Sequence, residues 1–185
     1  GFEMGAPVYL RLFKYEGVIE VWMKRGEQFD LFEVYPICIN SGALGPKLKE
    51  GDRQAPEGFY EINAKSLNPN SKYHLAINMG YPNAYDRELG RTGAHLMIHG
   101  ACASIGCYAL TDDNIEEVYT LVKAALDNGQ DSIPVHAFPF RMTDDAMKKY
   151  STSKWYGFWS EELRPATIAF DETRVPPMMM SCDGK

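Results

Sequence analysis

The strongest constraint on the fold comes from three segments near the N terminus in which apolar and polar residues alternate. These segments lie at residues 8–14, 18–24 and 29–35, and short polar turns separate them. A period of two is typical of a strand with one buried face. The short turns predict an antiparallel meander, and Pro36 predicts an edge position or a bulge where it ends. The N-terminal half is therefore predicted to form a sheet or one layer of a sandwich.

Later segments predict a mixture of strands and helices. Short apolar runs predict further strands at residues 59–62, 75–77, 96–98 and 133–140. A helix is predicted from about residue 113 to 127, with Thr111 or Asp112 as its N-cap. Another helix is predicted from Trp155 to about Leu163, broken at Pro165. The fold class is therefore predicted as α+β, mainly β, with a β-sandwich-like domain, peripheral helices and a helical C-terminal appendage.

Composition excludes several classes of function. The chain has 185 residues with 45% hydrophobic and 24% charged residues, which is ordinary for one globular domain with a sizeable core. A net charge of −6 gives no basic surface for nucleic acid. No apolar run approaches the roughly 20 residues that span a bilayer, so no membrane span is expected. Because the chain begins at Gly1 without Met, we expect a signal peptide to have been removed.

The stretch from residue 95 to 110 carries the residues best suited to chemistry. His99 follows a short apolar run that predicts a buried strand, and Cys107 comes eight residues later in a turn of small residues. A thiol is a strong nucleophile only as the thiolate, and a neighbouring histidine can take its proton near neutral pH. Gly106 leaves the backbone uncovered, so the amides of Gly106 and Cys107 are predicted to stabilise an oxyanion.

Other interpretations of the same residues remain open. A cysteine in an apolar setting is often a small core residue, and a histidine near a strand end is often structural. His95, His99, Cys102 and Cys107 also form an H-x3-H-x2-C-x4-C pattern of zinc-type ligands, although without the usual C-x2-C spacing. A bridge between Cys38 and Cys102 is possible in an oxidising compartment, but two buried free thiols are slightly favoured.

Several ordered motifs resemble one known family. The I-H-G and S-I-G-C segments are similar to the active-site signature of the L,D-transpeptidase catalytic domain (YkuD) family. Within that family the chain resembles the YafK-like branch. Collinear motifs spread over about residues 6 to 175 support this, at positions 45–47, 50–52, 55–60, 82–87, 96–100 and 138–143.

The resemblance implies roles for individual residues. Cys107 would be the nucleophile, His99 the base, and the carbonyl of Gly100 would orient the imidazole. Gly106 and Cys107 would form the oxyanion site, and Ser104 would order the turn through local hydrogen bonds. The loop at residues 40–57 would lie near the substrate groove. No cofactor and no metal are implied.

The chain departs from the wider family at two points that bear on substrate binding. The gap from His99 to Cys107 is short, and Tyr108-Ala109 stands where the family has a small apolar residue followed by Arg. Arg141 or Arg91 is predicted to replace that guanidinium in space. The further candidates for substrate binding, by position, are Tyr85, Asp86, Arg87 and Tyr108.

The resemblance to the narrower branch implies a hydrolytic reaction in the periplasm of a Gram-negative bacterium. The expected partners are peptidoglycan stem peptides and the outer-membrane lipoprotein attached to them. The bond cut would be the amide between meso-diaminopimelate and the C-terminal Lys of that lipoprotein. The alternatives are a transpeptidase that forms 3–3 cross-links or attaches lipoprotein, and a non-catalytic module that binds the wall. The expected organisation is a catalytic domain at 6–140, an appendage at 141–177 packed on it, and a mobile tail at 178–185.

Overall fold

A computed structural model describes residues 1–179 of the chain. The predicted mobile tail at 178–185 therefore lies almost wholly outside the described residues. Ten strands are present: β1 (Val8–Phe13), β2 (Val18–Arg25), β3 (Gln28–Pro36), β4 (Ile39–Asn40), β5 (Gly58–Ile62), β6 (Leu67–Ser71), β7 (His74–Asn78), β8 (Met97–His99), β9 (Tyr108–Ala109) and β10 (Ile133–Phe138). The α-helices are α1 (Ala84–Glu88), α2 (Asp112–Asp127), α3 (Asp144–Lys149) and α4 (Arg164–Thr173), with a π-helical segment, Phe158–Leu163, directly before α4.

The strands form two five-stranded sheets, which confirms the predicted α+β fold with a sandwich-like core. The first sheet has the order β3-β2-β1-β10-β5, and the second has the order β4-β9-β8-β7-β6. The predicted N-terminal meander is present as β1, β2 and β3, paired antiparallel. Sequence periodicity did not predict that β10 returns to lie parallel to β1, with Leu10 opposite Val135. That pairing places the last strand in the interior of the first sheet, between β1 and β5.

Alternation along β1 explains why the first sheet is covered on both faces. Val8, Leu10 and Leu12 point into the main core, which also holds Ile98 and Tyr108 of the second sheet. The intervening residues point the other way, where Phe13 packs against Trp159 and Tyr9 packs against Phe170 of the C-terminal helices. Every residue of β1 is buried, because successive side chains enter two different apolar layers.

Helix α2 forms where the sequence predicted it. Thr111 is the N-cap, and its hydroxyl accepts a hydrogen bond from the Asn114 amide. Asp112 and Asp113 occupy the first turn, where the helix dipole stabilises negative charge. The apolar stripe of α2, which includes Ile115 and Val118, is completely buried in the main core. The helix closes one side of the second sheet.

The prediction of a helix broken at Pro165 is wrong. The chain is helical from Phe158 through Thr173, and Pro165 stands in the first turn of α4. Pro165 falls where the π-helical hydrogen bonding of residues 158–163 changes to the α-helical pattern of α4, so its missing amide does not end the helix. The aromatic residues of this segment pack on the outer face of the first sheet, in apolar clusters that are separate from the main core. Within the described residues, no helix is both long enough and apolar enough to cross a membrane.

Candidate active site

Parallel pairing of β8 with β9 brings the two predicted catalytic residues together. In this pair Ile98 lies opposite Tyr108, and both are completely buried in the main core. Paired residues share a face, and successive residues of a strand point to opposite faces. His99 and Cys107 therefore share the other face of the second sheet. Ordinary strand spacing places their Cα atoms on the order of 8 Å apart.

The connection between these strands is short for a parallel pair and has a constrained backbone. Parallel strands usually require a crossover of a dozen or more residues. Here Ala101 and Cys102 adopt φ values of 64° and 45°, a left-handed conformation that costs a non-glycine residue about 1–2 kcal/mol. A disulfide joins Cys102 to Cys38, and the Ala101 amide donates to Asp112 Oδ1 at 2.7 Å. These two attachments hold the connection against β4 and α2.

The backbone fixes the tautomer of the His99 imidazole. Nδ1 lies 2.7 Å from the carbonyl oxygen of Gly100. Because a carbonyl only accepts, Nδ1 carries the proton and Nε2 keeps its lone pair. A Cβ on residue 100 would lie 2.7 Å from Asp112 Oδ1 and 3.0 Å from Ile115 Cγ2, so a larger residue there would displace these groups. The arrangement is the one expected of a general base that acts through Nε2.

The imidazole of His99 is shielded from solvent. The Tyr73 ring covers it at a centroid distance of 4.7 Å and an interplanar angle of 33°. Only 1% of the His99 surface is exposed. Burial lowers the pKa of His99 below its ordinary value of 6.5, while the hydrogen bond to Gly100 acts in the opposite direction. His99 is therefore a neutral base at pH 7.

The Cys107 thiol rests against the backbone that leads into β8. Its Sγ donates to the His95 carbonyl at 3.7 Å, and within residues 1–179 no hydrogen bond joins it to His99. Burial raises the pKa of Cys107 above its ordinary value of 9.0, and a hydrogen bond from the Met97 backbone and the charge of Lys47 offset this only in part. The resting pair is therefore a neutral thiol beside a neutral imidazole.

Ser104 organises the turn that carries the thiol and changes the expected oxyanion site. Its Oγ accepts from the Cys107 amide at 2.8 Å and donates to the Cys107 carbonyl at 2.6 Å. The Cys107 amide, predicted as an oxyanion donor, is thus already occupied in this structure. The Gly106 amide donates to no backbone acceptor among residues 1–179, and its φ of 115° requires glycine. Of the two predicted donors, the structure leaves Gly106 available.

The loop at residues 41–57 packs directly on the catalytic turn. A Cβ on Gly106 would lie 3.7 Å from the carbonyl oxygen and 4.0 Å from the amide nitrogen of Gln54. Ser41 Oγ lies 3.3 Å from Ser104 Oγ. The sequence predicted a functional loop here from its length and its resemblance. The structure shows that its backbone forms one wall beside Cys107.

Buried Lys14 holds the loop at residues 41–57 in place through four hydrogen bonds. Lys14 Nζ donates to the carbonyls of Ala43, Gly45 and Ala55 and to Glu57 Oε1, all at 2.9–3.0 Å. Burial lowers the pKa of Lys14, and the Glu57 carboxylate raises it. The other carboxylate oxygen of Glu57 accepts from the Trp159 indole at 2.8 Å. The C-terminal appendage is thereby connected to the wall of the site.

The predicted substrate residues at 85–91 are largely committed to one another. Asp86 is 1% exposed and accepts from Arg91 at 2.8 Å and from Tyr60 at 3.2 Å. The Arg91 guanidinium lies 5.4 Å from the centre of the Tyr85 ring. Arg87 donates to the Pro82 carbonyl. These contacts stabilise α1 and its surroundings, so a role of Tyr85, Asp86, Arg87 and Arg91 in substrate binding stays a prediction.

Tyr108 and Arg141 are the two remaining candidates for substrate binding. Neither lies on the outer face of the second sheet, which carries His99 and Cys107. Tyr108 is completely buried and donates to the Pro56 carbonyl at 2.7 Å, so it offers no surface to a substrate. Arg141 pairs with Glu20 at 2.6 Å and stacks over Phe13 at 4.5 Å. Since Phe13 points away from the second sheet, both sheets separate Arg141 from Cys107. This placement does not support Arg141 as the replacement for the missing guanidinium.

A disulfide between Cys38 and Cys102 contradicts both the zinc interpretation and the prediction of free thiols. The slight preference for free thiols at Cys38 and Cys102 is wrong, because the two form a disulfide. Cys102 is therefore unavailable as the third ligand of the H-x3-H-x2-C-x4-C pattern. Among residues 1–179, no three His, Cys, Asp or Glu side chains are grouped to hold a metal ion. The remaining cysteine of the pattern, Cys107, carries a free thiol.

Sequence reasoning missed two residues that shape the site. Tyr73 covers His99, but nothing in the surrounding polar sequence marks it as different from other surface tyrosines. Lys47 is 5% exposed and pairs with Asp52 at 2.5 Å. Its charge acts on the thiol of Cys107. Lys47 and Asp52 were noted as parts of motifs, yet only the folded loop places that charge beside the nucleophile.

Comparison with known proteins identifies the family of the chain. Residues 19–161 match the model of the L,D-transpeptidase catalytic domain (YkuD). YafK from Escherichia coli strain K12, provisionally named an L,D-transpeptidase, is 48% identical over 182 residues, which cover 98% of this chain and 74% of YafK. The protein of the same name from Escherichia coli O157:H7 matches equally well.

Solved structures show the same fold at lower identity. Two crystal structures of the helical cell shape determining protein Pgp2 from Campylobacter jejuni, one of them a mutant, match with TM-scores of 0.56 and 0.57. Their identities are 24% and 21%, and the matches cover 76% and 92% of this chain but only 53% and 62% of the Pgp2 chains. The extent of the family match and the 48% identity to YafK lead to one conclusion. The chain belongs to the L,D-transpeptidase catalytic domain (YkuD) family, and its relatives include YafK.

Proposed function

We propose that this protein is a periplasmic cysteine hydrolase that releases the outer-membrane lipoprotein from peptidoglycan. The bond cut is the amide between meso-diaminopimelate and the C-terminal Lys of the lipoprotein. The observation that carries the proposal is the pairing of β8 with β9, which puts Cys107 on the same face as His99. The name of the relative YafK, an L,D-transpeptidase, supports acyl transfer at a wall peptide.

The first half-reaction forms a thioester on Cys107. Sγ attacks the carbonyl carbon of diaminopimelate while its proton passes to Nε2 of His99. The Gly106 amide donates to the oxyanion that develops on the carbonyl oxygen. The tetrahedral species collapses when the C–N bond breaks, and His99 returns the proton to the departing Lys amine. Because the Cys107 thiol and the His99 imidazole are both neutral before the reaction, the proton transfer does not require a thiolate–imidazolium pair in the resting protein.

The second half-reaction decides between hydrolysis and transpeptidation. Water attacks the thioester, His99 takes a proton from the water, and that proton returns to Sγ as the thiol leaves. Access of solvent favours this course. Ile105, two residues before the nucleophile, is 80% exposed, and the loop that carries it is short. An amine acceptor would require a site that excludes water more fully.

The test uses purified sacculi that carry attached lipoprotein, incubated in water enriched in oxygen-18. Four proteins are compared: the unaltered chain, Cys107→Ala, His99→Gln and the control His74→Gln, whose exposed imidazole pairs with Glu116 at 2.7 Å. Mass spectrometry should detect lipoprotein ending in a free Lys. It should also detect one heavy oxygen in the diaminopimelate carboxylate that remains on the wall. Cys107→Ala and His99→Gln should lose both products, and His74→Gln should keep them.

Other outcomes point to the alternatives. A rise in 3–3 cross-links while lipoprotein stays attached would identify a transpeptidase. If the unaltered chain and Cys107→Ala leave the sacculi equally unchanged but both sediment with them, the protein is a wall-binding module. Lipoprotein release that survives Cys107→Ala would exclude the thioester route.

A further inference from the structure

We infer that Arg53 binds a carboxylate of the substrate beside Cys107 and so determines which peptides the site accepts. The nature of the peptide rests on the proposed function, because the diaminopimelate residue that forms the thioester also carries a second, free carboxylate. The position and freedom of Arg53 follow from the structure alone.

The first argument is proximity to the catalytic turn. The Gln54 backbone lies against Gly106, with its amide nitrogen 4.0 Å from where a Cβ on Gly106 would stand. The carbonyl carbon of Arg53 is bonded to that nitrogen, so its Cα is one peptide unit away. An arginine side chain is long enough to reach from there to the space in front of Sγ. The Gln54 amide donates to Asp52 Oδ1 at 3.1 Å, which holds this part of the loop in place.

The second argument is availability. Arg53 is exposed, and within residues 1–179 its side chain makes no hydrogen bond, ion pair or aromatic contact. The seven other arginines each have a partner: Arg11 with Asp171, Arg25 with Asp30, Arg87 with the Pro82 carbonyl, Arg91 with Asp86, Arg141 with Glu20, Arg164 with Asp144, and Arg174 with the Trp22 ring. Arg53 is therefore the uncommitted guanidinium of residues 1–179, and the residue that follows it packs against the turn that carries Cys107.

The third argument is the charge balance of the loop. Asp52 is the adjacent carboxylate, but it already accepts from Lys47 at 2.5 Å and from the amides of Leu48 and Lys49. The hydrogen bonds from Lys47 and these amides keep the pKa of Asp52 below its ordinary value, although burial acts against them. Lys47 and Asp52 thus neutralise each other. Arg53 remains as a positive charge that an incoming carboxylate can pair with.

The fourth argument is the residue that follows the nucleophile. Ala109 occupies the position two residues after Cys107, where the pattern of the wider family has an Arg. A guanidinium matches a carboxylate with two parallel hydrogen bonds, which a lysine cannot reproduce. Arg91 and Arg141 are engaged with Asp86 and Glu20. Arg53 lies on the loop whose backbone packs beside Gly106.

The experiment measures binding apart from cleavage. Every protein carries Cys107→Ala, so no peptide is consumed during a calorimetric titration. One probe is a synthetic stem peptide ending in diaminopimelate with both carboxylates free, and the second has the side-chain carboxylate amidated. We expect the acidic peptide to bind about tenfold more tightly than the amidated one. Arg53→Gln should remove that preference. The matched control Arg25→Gln, an exposed arginine on β2, should retain it.

The outcomes separate this inference from the proposed function. The inference is wrong if the protein that keeps Arg53 does not bind the acidic peptide more tightly than the amidated one, or if Arg53→Gln retains that difference. It is also wrong if the acidic peptide does not bind up to millimolar concentration. A preference that depends on Arg53 supports it even if sacculi release no lipoprotein. Release of lipoprotein without any such preference would keep the proposed function and remove Arg53 from it.

Discussion

At the scale of the residue, burial sets the protonation of the site. It raises the pKa of Cys107 and lowers that of His99, so each group is held in its neutral form. The Gly100 carbonyl fixes which nitrogen of His99 carries the proton. In the proposed mechanism, transfer of the proton from Sγ to Nε2 accompanies attack on a bound carbonyl. The reactive thiolate does not accumulate in the free protein.

The pH dependence of reactivity follows from these two shifts. The kcat/KM for lipoprotein release should fall as pH drops through the lowered pKa of His99, because the imidazolium cannot accept a proton. That fall should lie below pH 6.5, and the rate should stay level up to about pH 9. Alkylation of Cys107 by iodoacetamide in the free protein should instead rise with a midpoint above pH 9. An alkylation midpoint near 7 would contradict this and indicate a resting thiolate–imidazolium pair.

Removal of the ring over His99 should change its titration. In Tyr73→Ala water reaches the imidazole, and the loss of shielding should raise the pKa of His99 toward 6.5. Tyr73→Phe keeps the ring and serves as the control, so its His99 should titrate as in the unaltered protein. The measurement is a pH titration of the His99 ring protons by NMR. Equal midpoints in Tyr73→Ala and Tyr73→Phe would show that Tyr73 does not shield the base.

At the scale of the element, the wall of the site is held by the C-terminal helices. A Cβ on Gly45 would lie 2.3 Å from the Trp155 indole nitrogen, so only glycine allows the two segments to pack. Trp159 donates to Glu57, which in turn binds Lys14. The loop at 41–57 is therefore fixed between β1 and the appendage. Its backbone can hold Gln54 against Gly106 without regular secondary structure.

Loss of the buried ammonium should release this loop. Lys14→Met removes the ammonium that pairs with the buried Glu57 carboxylate and donates to three carbonyls, and we expect a destabilisation of about 3 kcal/mol. Lys24→Met, an exposed lysine on the neighbouring strand β2, is the matched control and should change the free energy of unfolding by less than about 0.5 kcal/mol. Urea titration followed by fluorescence gives both values. Similar losses in the two variants would show that burial of Lys14 has no special role.

At the scale of the whole molecule, the chain stacks three layers. The C-terminal helices cover one face of the first sheet, and the second sheet with α2 covers the other. His99 and Cys107 lie on the outer face of the second sheet, away from the first. The site therefore opens outward from the sandwich. Its position relative to the core depends on which face of β8 and β9 is apolar.

A buried histidine in the first sheet should make the stability of the whole protein depend on pH. His136 is 2% exposed, its Nδ1 lies 2.8 Å from the Tyr9 hydroxyl, and burial, with the charge of Arg11, lowers its pKa to about 3. Between pH 6.5 and 3 the unfolded chain binds more protons than the fold, so stability is complete above 6.5 and decreases as pH falls. The loss should be about 2 kcal/mol between pH 7.5 and 5.

Comparison with His136→Gln isolates this effect from other acid-sensitive groups. The amide can accept from Tyr9 but does not titrate. The variant should therefore lose about 2 kcal/mol less than the unaltered chain over the same interval. Thermal unfolding at several pH values measures both slopes. Parallel slopes would assign the acid sensitivity to other residues.

The sequence by itself determined much of the local structure and which two residues are proposed as the reactive pair. The period of two defined β1, β2 and β3, the Thr111 cap defined the start of α2, and the I-H-G and S-I-G-C motifs marked His99 and Cys107. These features depend on neighbours in the chain, which a sequence displays directly. Only the tertiary structure decided the parallel pairings β1–β10 and β8–β9. The hydrogen-bonding partner of each of these strands cannot be read from the residues next to it in the sequence.

The same distinction explains the corrections. The Cys38–Cys102 bridge and the burial of Tyr108 require knowing which distant segments meet. The opposite face occupied by Arg141 depends on how the chain passes over the first sheet. The effect of Pro165 became clear only from the structure, because the helical segment Phe158–Leu163 leads directly into α4. Residue type and spacing therefore specified the chemistry, and the packing of distant segments determined which side chains remain free to take part in it.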